Sequence, residues 1–320
     1  MVCCFAEHER LINYIPGVSA LKITDLPSYL QELDVSTVLH KLIYAAFQSA
    51  HEADWVVSNT VEEFESRTIA ELQLRKPFWS VGPLLPSAFL DDKSVKDETN
   101  GTSMWPESDC TSWLDSMPNS SVIYISFGSF AHVSRDQIEE MAMGLLESKQ
   151  PFIWVLRADI VESGAENILP EGFVEGTRDQ GLVVQWSSQL KVLSHPSVGG
   201  FLTHCGWNSI LESLWLGKPM LAFPLLTDQC VNRRLIVEEW GVAMDLGGSC
   251  RMFKNNRALL GRDEVARTLK KFMDTEERDK LRLKIEPMRK VVKEAVMLDE
   301  GSSNKNLDLF VEALRAKNQT

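Results

Sequence analysis

The sequence predicts an α/β chain in which a complete, doubly wound parallel-sheet domain follows an incomplete domain. From residue 120 on, six short apolar runs alternate with amphipathic segments. Such alternation is typical of parallel sheets with right-handed crossovers. The first 118 residues contain only two such runs, whereas a sheet typically has about five or six strands. A polar stretch separates the two parts.

The first part predicts two strand–helix pairs. These are a helix near 36–50, a strand at Trp55–Ser58, a helix near 61–73 and a strand around Phe78–Val81. Both strands are apolar at successive positions, which is typical of buried parallel strands. We therefore expect residues 1–90 to be the remnant of an N-terminal domain, and the polar residues 91–118 to be a linker.

The second part predicts six strands and their helices. Its first unit is a strand at Ser121–Phe127, a helix at Ser134–Ser148 capped by Ser134, and a strand at Phe152–Leu156. Four further strands follow at 182–185, 199–203, 220–224 and 242–246, with helices at 188–193, 208–216, 228–240, 262–273, 276–297 and 303–316. We expect residues 119–300 to form one ligand-binding domain. Residues 301–320 would form a terminal helix that packs back toward the N-terminal part.

The composition limits the classes of function. Lys and Arg number 33 against 45 Asp and Glu, a net charge of −12, which disfavours nucleic acid as a partner. No apolar stretch reaches the length of a membrane span. Six cysteines without a CxxC motif indicate free thiols in a reducing compartment. We therefore expect a cytoplasmic protein with no membrane span, and we infer no obligate protein partner.

Polar and aromatic groups follow four of the predicted strands. In open α/β sheets, ligands bind beyond the carboxyl ends of the strands. The segments at those ends are Gly128–Ser129, Trp186–Gln189, His204–Ser209 and Thr227–Gln229. Because parallel strands end at one edge, we expect these four segments to meet there.

Each of these segments suits one part of a nucleotide sugar. Gly206, Asn208 and Ser209 open a helix whose N–H groups suit a phosphate, with His204 as a further donor. Trp186 offers a face on which a base can stack, a contact worth about 1–3 kcal/mol. Glu212 can accept a hydrogen bond from a ribose hydroxyl. The adjacent Asp228 and Gln229 together can accept hydrogen bonds from sugar hydroxyls and donate hydrogen bonds to them. His204-Cys205 lacks the ligand number and spacing of a zinc site, so we expect no metal.

A family resemblance agrees with this interpretation. The 44 residues from Trp186 to Gln229 read WSSQLKVLSHPSVGGFLTHCGWNSILESLWLGKPMLAFPLLTDQ. They resemble, without a gap, the signature box of plant family 1 UDP-glycosyltransferases, enzymes of plant secondary metabolism. The segments SVIYISFGS, FIWVLR, LPEGF, GSSNKNLDLF, DLPSYL and VGPLLP also resemble that family. The resemblance implies a GT-B fold of two Rossmann-like domains, here N-terminally truncated.

The resemblance also implies site residues. Trp186 would stack on uracil, with the Ser187 backbone at its edge, and Gln189 and Glu212 would hold the ribose. The diphosphate would contact Ser129, His204, Asn208 and Ser209, where Gly206 allows close approach, and the sugar would contact Trp207, Asp228 and Gln229. Gln229 and Trp207 resemble the residues of glucose-using members. Ser187-Ser188 stand where Ala-Pro is usual, and Phe223 where Trp is usual.

The resemblance leaves the catalytic base unassigned. In this family the base is a His near the start of the N-terminal domain, and no segment here resembles its motif. The sequence therefore favours an inverting glucosyltransferase that acts on a hydroxyl of a small lipophilic acceptor and uses UDP-glucose as co-substrate. One alternative is a truncated or degenerate member that binds UDP-sugar without transfer. Another is a nucleotide-sugar epimerase, against which the complete signature box argues.

Overall fold

The fold was analysed in a computed structural model, which describes residues 11–31, 34–90, 106–161, 168–247 and 259–318. The chain divides into two compact units, one of residues 1–98 and 287–320 and the other of residues 99–286. We call them unit 1 and unit 2. The predicted α/β class is confirmed, because strands and helices alternate along the chain.

Unit 2 is built on a six-stranded, wholly parallel sheet. Its strands are β5 (Val122–Ser126), β6 (Phe152–Val155), β7 (Gly181–Val184), β8 (Val198–Thr203), β9 (Met220–Ala222) and β10 (Ala243–Asp245). Their order across the sheet is β10-β9-β8-β5-β6-β7. This is the doubly wound order of dinucleotide-binding domains, in which the chain reverses direction between β5 and β8.

Helices cover both faces of this sheet. They are α5 (Thr111–Asp115), α6 (Arg135–Ser148), α7 (Phe173–Gly176), α8 (Gln189–Ser194), α9 (Trp207–Leu216), α10 (Gln229–Arg234), α11 (Arg262–Met273) and α12 (Thr275–Ala295), the last of which continues past the boundary of unit 2. Ser134 caps α6 as predicted, since its side chain accepts from the Gln137 N–H. A π-helical segment, Leu235–Glu239, follows α10 directly, so the single helix predicted over 228–240 is in two parts.

Alternate residues of β5 point into two separate cores. Ile123 and Ile125 pack into the larger core, with residues of α6 and α11. Val122 and Tyr124 pack into the smaller core, with Leu114 of α5. Because side chains alternate along a strand, a strand buried along its whole length needs apolar side chains on both faces, as Val122 to Ile125 have.

The described residues of unit 1 form two small sheets. β1 (Leu11–Ile12) and β2 (Leu21–Lys22) pair antiparallel, while β3 (Val56–Ser58) and β4 (Phe78–Ser80) pair parallel. Its helices are α1 (Ser28–Gln31), α2 (Val38–Glu52), α3 (Glu62–Gln73), α4 (Ser87–Leu90) and α13 (Ser302–Lys317). β3 and β4 are parallel as predicted but only partly buried, which differs from the expectation of fully buried strands.

The terminal helix α13 packs on the strands of its own unit. Phe310 contacts Trp79, with ring centroids 5.5 Å apart. The Asn306 amide donates to the Ser80 carbonyl at 3.0 Å, and the Ser303 hydroxyl donates to the Gly82 carbonyl at 2.5 Å. These contacts bring residues 302–317 to β3 and β4.

Two predicted boundaries differ from the structure. The end of the predicted linker 91–118 contains α5, whose Leu114, together with Cys110, lies in the smaller core of unit 2. Trp113 and Met117 also pack against this core, so tertiary contacts hold the helix in an otherwise polar stretch. Unit 2 ends at Glu286 rather than at residue 300. Residues 91–105 of the linker lie outside the described residues.

Cysteine chemistry also differs from the expectation at one position. Cys110 and Cys205 are buried free thiols, whereas Cys230 is disulfide-bonded. The expectation of free thiols is therefore wrong for Cys230. Cys3, Cys4 and Cys250 lie outside the described residues.

Candidate functional site

The candidate site begins where the winding of the unit 2 sheet reverses. The carboxyl ends of β5 and β8 are neighbours in the sheet, and they lead into the Gly128–Ser129 and His204–Ser209 segments. In doubly wound folds a crevice opens at this point, because the two connections leave on opposite faces. Two of the four segments singled out from the sequence are thus brought together.

The imidazole of His204 packs tightly between two glycines. A Cβ atom on Gly128 would lie 2.5 Å from His204 Nε2, and one on Gly206 would lie 2.4 Å from it. No side chain fits at either position, so both residues must be glycine for His204 to sit here. Gly128 also adopts φ = +73°, a conformation that favours glycine.

His204 is neutral at physiological pH. Burial, the largest cause, lowers the pKa of His204 to about 4, and the positive charge of Arg157 acts in the same direction. Within the described part of the chain, His204 Nδ1 has no hydrogen-bond partner. A buried ring nitrogen without a partner is unusual in native structures.

Helix α9 begins at the rim of the crevice. Gly206 is its N-cap and has no side chain to cap the first turn, and the preceding Cys205 adopts φ = +66°. Positive φ at a non-glycine residue costs energy and persists only where the surrounding structure holds it. Ser129 and Asn208 are exposed here, while Ser209 is buried. The N-terminus of this ten-residue helix therefore presents N–H groups of the kind that bind phosphate.

One glutamine joins two predicted ligand-binding residues. Gln189 Nε2 donates to Ser209 Oγ at 2.9 Å and to Glu212 Oε2 at 2.6 Å. Burial raises the pKa of Glu212, and the bond from Gln189 partly offsets this rise. The carboxylate thus sits in a poorly solvated place with acceptor capacity to spare.

Trp186 and Ser187 follow β7. Trp186 is partly buried against the smaller core, and its carbonyl accepts from the Ser108 N–H at 2.9 Å. Ser187 is buried, with its hydroxyl 3.3 Å from the Tyr124 hydroxyl. The Ser187 side chain is therefore engaged in the interior, which agrees with a ligand contact made by its backbone.

Asp228 is held from two sides. Thr227 Oγ1 lies 2.9 Å from its Oδ1, and Asn232 Nδ2 donates to its Oδ2 at 2.7 Å. Asn232 Nδ2 also donates to the Cys205 carbonyl at 3.0 Å. The buried Asn232 amide therefore ties the segment after β9 to the segment after β8.

The Gln229 side chain is oriented by the backbone before it. Its Oε1 accepts from the N–H groups of Leu225 and Leu226, each at 2.9 Å. The carbonyl end of this buried amide is thereby fixed, so the Nε2 end is the one with donors for a ligand.

Trp207 packs against a second tryptophan, with the two rings tilted. The ring centroids of Trp207 and Trp240 are 6.1 Å apart, at an interplanar angle of 56°. Trp240 ends the π-helical segment, with its N–H donating to the Leu235 carbonyl at 2.8 Å. Ion pairs at the same five-residue spacing, Arg233–Glu238 and Arg234–Glu239, stabilise this turn.

Three supporting residues were not singled out from the sequence: Arg157, Asn232 and Trp240. Arg157 is a charged residue next to a buried strand. Asn232 stands four residues after Asp228, a spacing at which helical side chains meet. Only the five-residue spacing of Arg and Glu in RRLIVEE hinted at the π turn, because ordinary helical pairs are three or four apart.

The fold and the site define a doubly wound α/β protein of the Rossmann-like kind. The chain belongs to the family of UDP-glucoronosyl and UDP-glucosyl transferases, whose model matches residues 19–252. In the described ranges, no group of three His, Cys, Asp or Glu side chains is arranged to hold a metal ion. No helix of those ranges is long and apolar enough to cross a membrane.

Individual relatives cover most of the chain. UDP-glycosyltransferase 86A2 of Arabidopsis thaliana is 46% identical over 310 residues, which are 96% of this chain and 60% of that protein. The structure of Phytolacca americana UGT2 complexed with UDP-2fluoro-glucose and pterostilbene has a TM-score of 0.78 and 32% identity, covering 96% of this chain and 65% of that one. Medicago truncatula UGT71G1 complexed with UDP-glucose has a TM-score of 0.79 and 30% identity, covering 96% and 63%. The chain thus spans about 60% of its curated relatives' length.

Proposed function

We propose that unit 2 binds a UDP-sugar, with UDP-glucose as donor. The protein would transfer the sugar, with inversion, to a hydroxyl of a small lipophilic acceptor. The observation that carries this proposal is the polar cluster at the reversal point of the sheet, where Gln189 bonds both Ser209 and Glu212. Family membership supports the donor class, and the donor and acceptor in the Phytolacca complex support both substrate classes.

In this proposal the donor lies across the carboxyl edge of the sheet. Uracil stacks on Trp186 and meets the Ser187 backbone, while Gln189 and Glu212 hold the ribose. His204, Ser129, Asn208 and Ser209 contact the diphosphate, and Trp207, Asp228 and Gln229 contact the sugar. This order follows the positions of the segments after β5, β7, β8 and β9, and the resemblance of the signature box assigns the individual roles.

The reaction is a substitution at the anomeric carbon. The acceptor oxygen forms a bond to that carbon and its hydroxyl proton passes to solvent water, as the bond to the β-phosphate oxygen breaks and its electron pair leaves with UDP. The negative charge that develops on UDP is stabilised by preorganised donors, namely the start of α9 and the groups around His204. We assign no general base in this chain. The proposal includes no metal ion or other cofactor, and it places the reaction in the cytoplasm.

A transfer assay tests the proposal. The full chain is incubated with UDP-glucose and a flavonol, and the glucoside and UDP are quantified by mass spectrometry, with product configuration assigned by NMR. A β-glucoside with equimolar UDP is the expected result. UDP-glucose binding without glucoside would favour the alternative of a non-transferring binder. Failure to bind any UDP derivative would overturn the donor site itself.

A further inference from the structure

Arg157 is a buried cation directly behind the predicted phosphate segment. Its side chain is 2% exposed and lies two residues after β6 ends. The guanidinium donates to the Gly128 carbonyl, to the Ala131 carbonyl at 2.8 Å and to Asp159 Oδ1 at 2.9 Å. Burying a charge is costly unless hydrogen bonds compensate, so these bonds fix the side chain in one position.

The bond to Gly128 fixes the direction of the next N–H group. In a trans peptide unit, the C=O of one residue and the N–H of the next point in opposite directions, and the Gly128–Ser129 bond is trans. Because the Gly128 carbonyl points at the buried Arg157, the Ser129 N–H points away from it. Ser129 itself is exposed.

Peptide direction decides whether a loop attracts or repels an anion. A carbonyl oxygen facing a phosphate repels it, whereas an N–H group attracts it. Arg157 gathers two carbonyl oxygens of one short loop, those of Gly128 and Ala131. The half-exposed Asp159 carboxylate offsets part of the guanidinium charge. Arg157 therefore acts on a bound phosphate more through the orientation of the loop than through its own positive charge.

We infer that Arg157 is a positioning residue for diphosphate binding: it turns the Gly128–Ala131 loop so that the Ser129 N–H faces the donor's phosphates. The inference rests on the UDP-sugar proposal made above. Arginine suits this task because its rigid fork reaches two carbonyls at once, which a lysine ammonium on a flexible stem does not.

Calorimetric titration with UDP tests the inference in the full chain. Arg157→Met should weaken UDP binding by about 10- to 100-fold, the range of a hydrogen bond to a charged group. Arg157→Lys should remain similarly weak, because it keeps the charge and loses the fork. The matched control is Arg262→Met, which removes a Glu140 ion pair in the same unit and should leave UDP affinity unchanged.

The outcomes separate this inference from the proposal on which it rests. Absence of UDP binding by the wild-type chain would refute the donor site. Wild-type binding with unchanged affinity in Arg157→Met, or full recovery in Arg157→Lys, would refute only the role of the Arg157 fork. If Arg157→Met does not fold, the NMR resonance of the Ser129 amide in the wild-type chain, recorded with and without UDP, tests the inference instead. It should shift downfield with UDP, and an unmoved resonance would refute the inference.

Discussion

The side-chain amide of Asn232 joins the Asp228 carboxylate to the Cys205 carbonyl, at 2.7 Å and 3.0 Å. One buried amide thus links the segments after β8 and β9, which the proposed function assigns to the diphosphate and the sugar. Cys205 adopts φ = +66° and Thr227 φ = +56°. Cys205 supplies the carbonyl that Asn232 binds, and Thr227 directly precedes Asp228. Strained backbone of this kind persists only where surrounding bonds hold it, and the bonds of Asn232 lie at both places.

Removing this link should loosen the sugar contact. In Asn232→Leu the Asp228 carboxylate loses a donor, so UDP-glucose affinity should fall about 10-fold, while UDP affinity should fall less. Calorimetry with both ligands measures the two affinities. The exposed Asn119 near the start of β5 gives the matched control, since Asn119→Leu should change neither. Equal losses for the two ligands would contradict the assignment of Asp228 to the sugar.

Glu212→Gln should separate stability from binding. Burial raises the pKa of Glu212, so its charge costs stability that a neutral amide does not, and Gln189 can still donate to the new Oε1. The thermal midpoint should stay the same or rise, while UDP affinity should fall about 10-fold, because a charged acceptor is stronger than a neutral one. Differential scanning calorimetry and titration test this, with the exposed Glu175→Gln as control. Unchanged UDP affinity in Glu212→Gln would contradict the assignment of Glu212 to the ribose.

Trp240 should act on the sugar through Trp207. Aromatic pairs are worth about 0.5–1.5 kcal/mol beyond area burial. Trp240→Ala should therefore weaken UDP-glucose binding by roughly 2- to 10-fold while leaving UDP binding unchanged. Trp240→Phe keeps a ring in place and should restore most of the loss. Titration with UDP-glucose and UDP checks the difference, and a loss of UDP binding in Trp240→Ala would show a general structural role instead.

Acid should destabilise unit 2 through His204. The pKa of His204 is lowered from an ordinary 6.5 to about 4 in the folded state. Between these pH values, His204 is protonated in the unfolded state and neutral in the folded state. This contribution is complete above pH 6.5 and is lost as the pH falls from 6.5 toward 4, by about 3 kcal/mol in total. Urea unfolding at pH 7 and pH 5 should show a smaller pH dependence for His204→Gln than for wild type. Glu65 and Glu212 are half-buried, and burial raises their pKa values. They act in the opposite direction, and their effect cancels in this comparison because both proteins contain them. Equal dependence in both proteins would contradict a neutral His204.

The sequence predicted the strand pattern of unit 2 well. All six strands were expected within a few residues of where they lie, because each falls in a short, largely apolar run between two helical segments. Short elements were missed: α5 is five residues long, and it is held by tertiary burial of Leu114 rather than by its own propensity. The π turn was missed because its stability comes from contacts of Trp240 and from ion pairs at an unusual spacing.

The sequence indicated candidate site residues, but it did not indicate the contacts between their side chains. Strand ends pointed to His204 and Asp228, and the resemblance assigned their roles. To predict the hydrogen bonds from Gln189 to Ser209 and Glu212, one must know how far apart the segments after β7 and β8 lie. No local sequence pattern contains that distance. Arg157 was missed for the same reason, since its partners Gly128 and Ala131 lie on another strand's loop.

The most direct test of the central claim is calorimetric titration of the full chain with UDP and UDP-glucose, for wild type and for Asp228→Ala. The account predicts one UDP site per wild-type chain, tighter binding of UDP-glucose than of UDP, and loss of that difference in Asp228→Ala with UDP affinity retained. No saturable binding of UDP by the wild-type chain, or a preference for UDP-glucose that survives in Asp228→Ala, would contradict it.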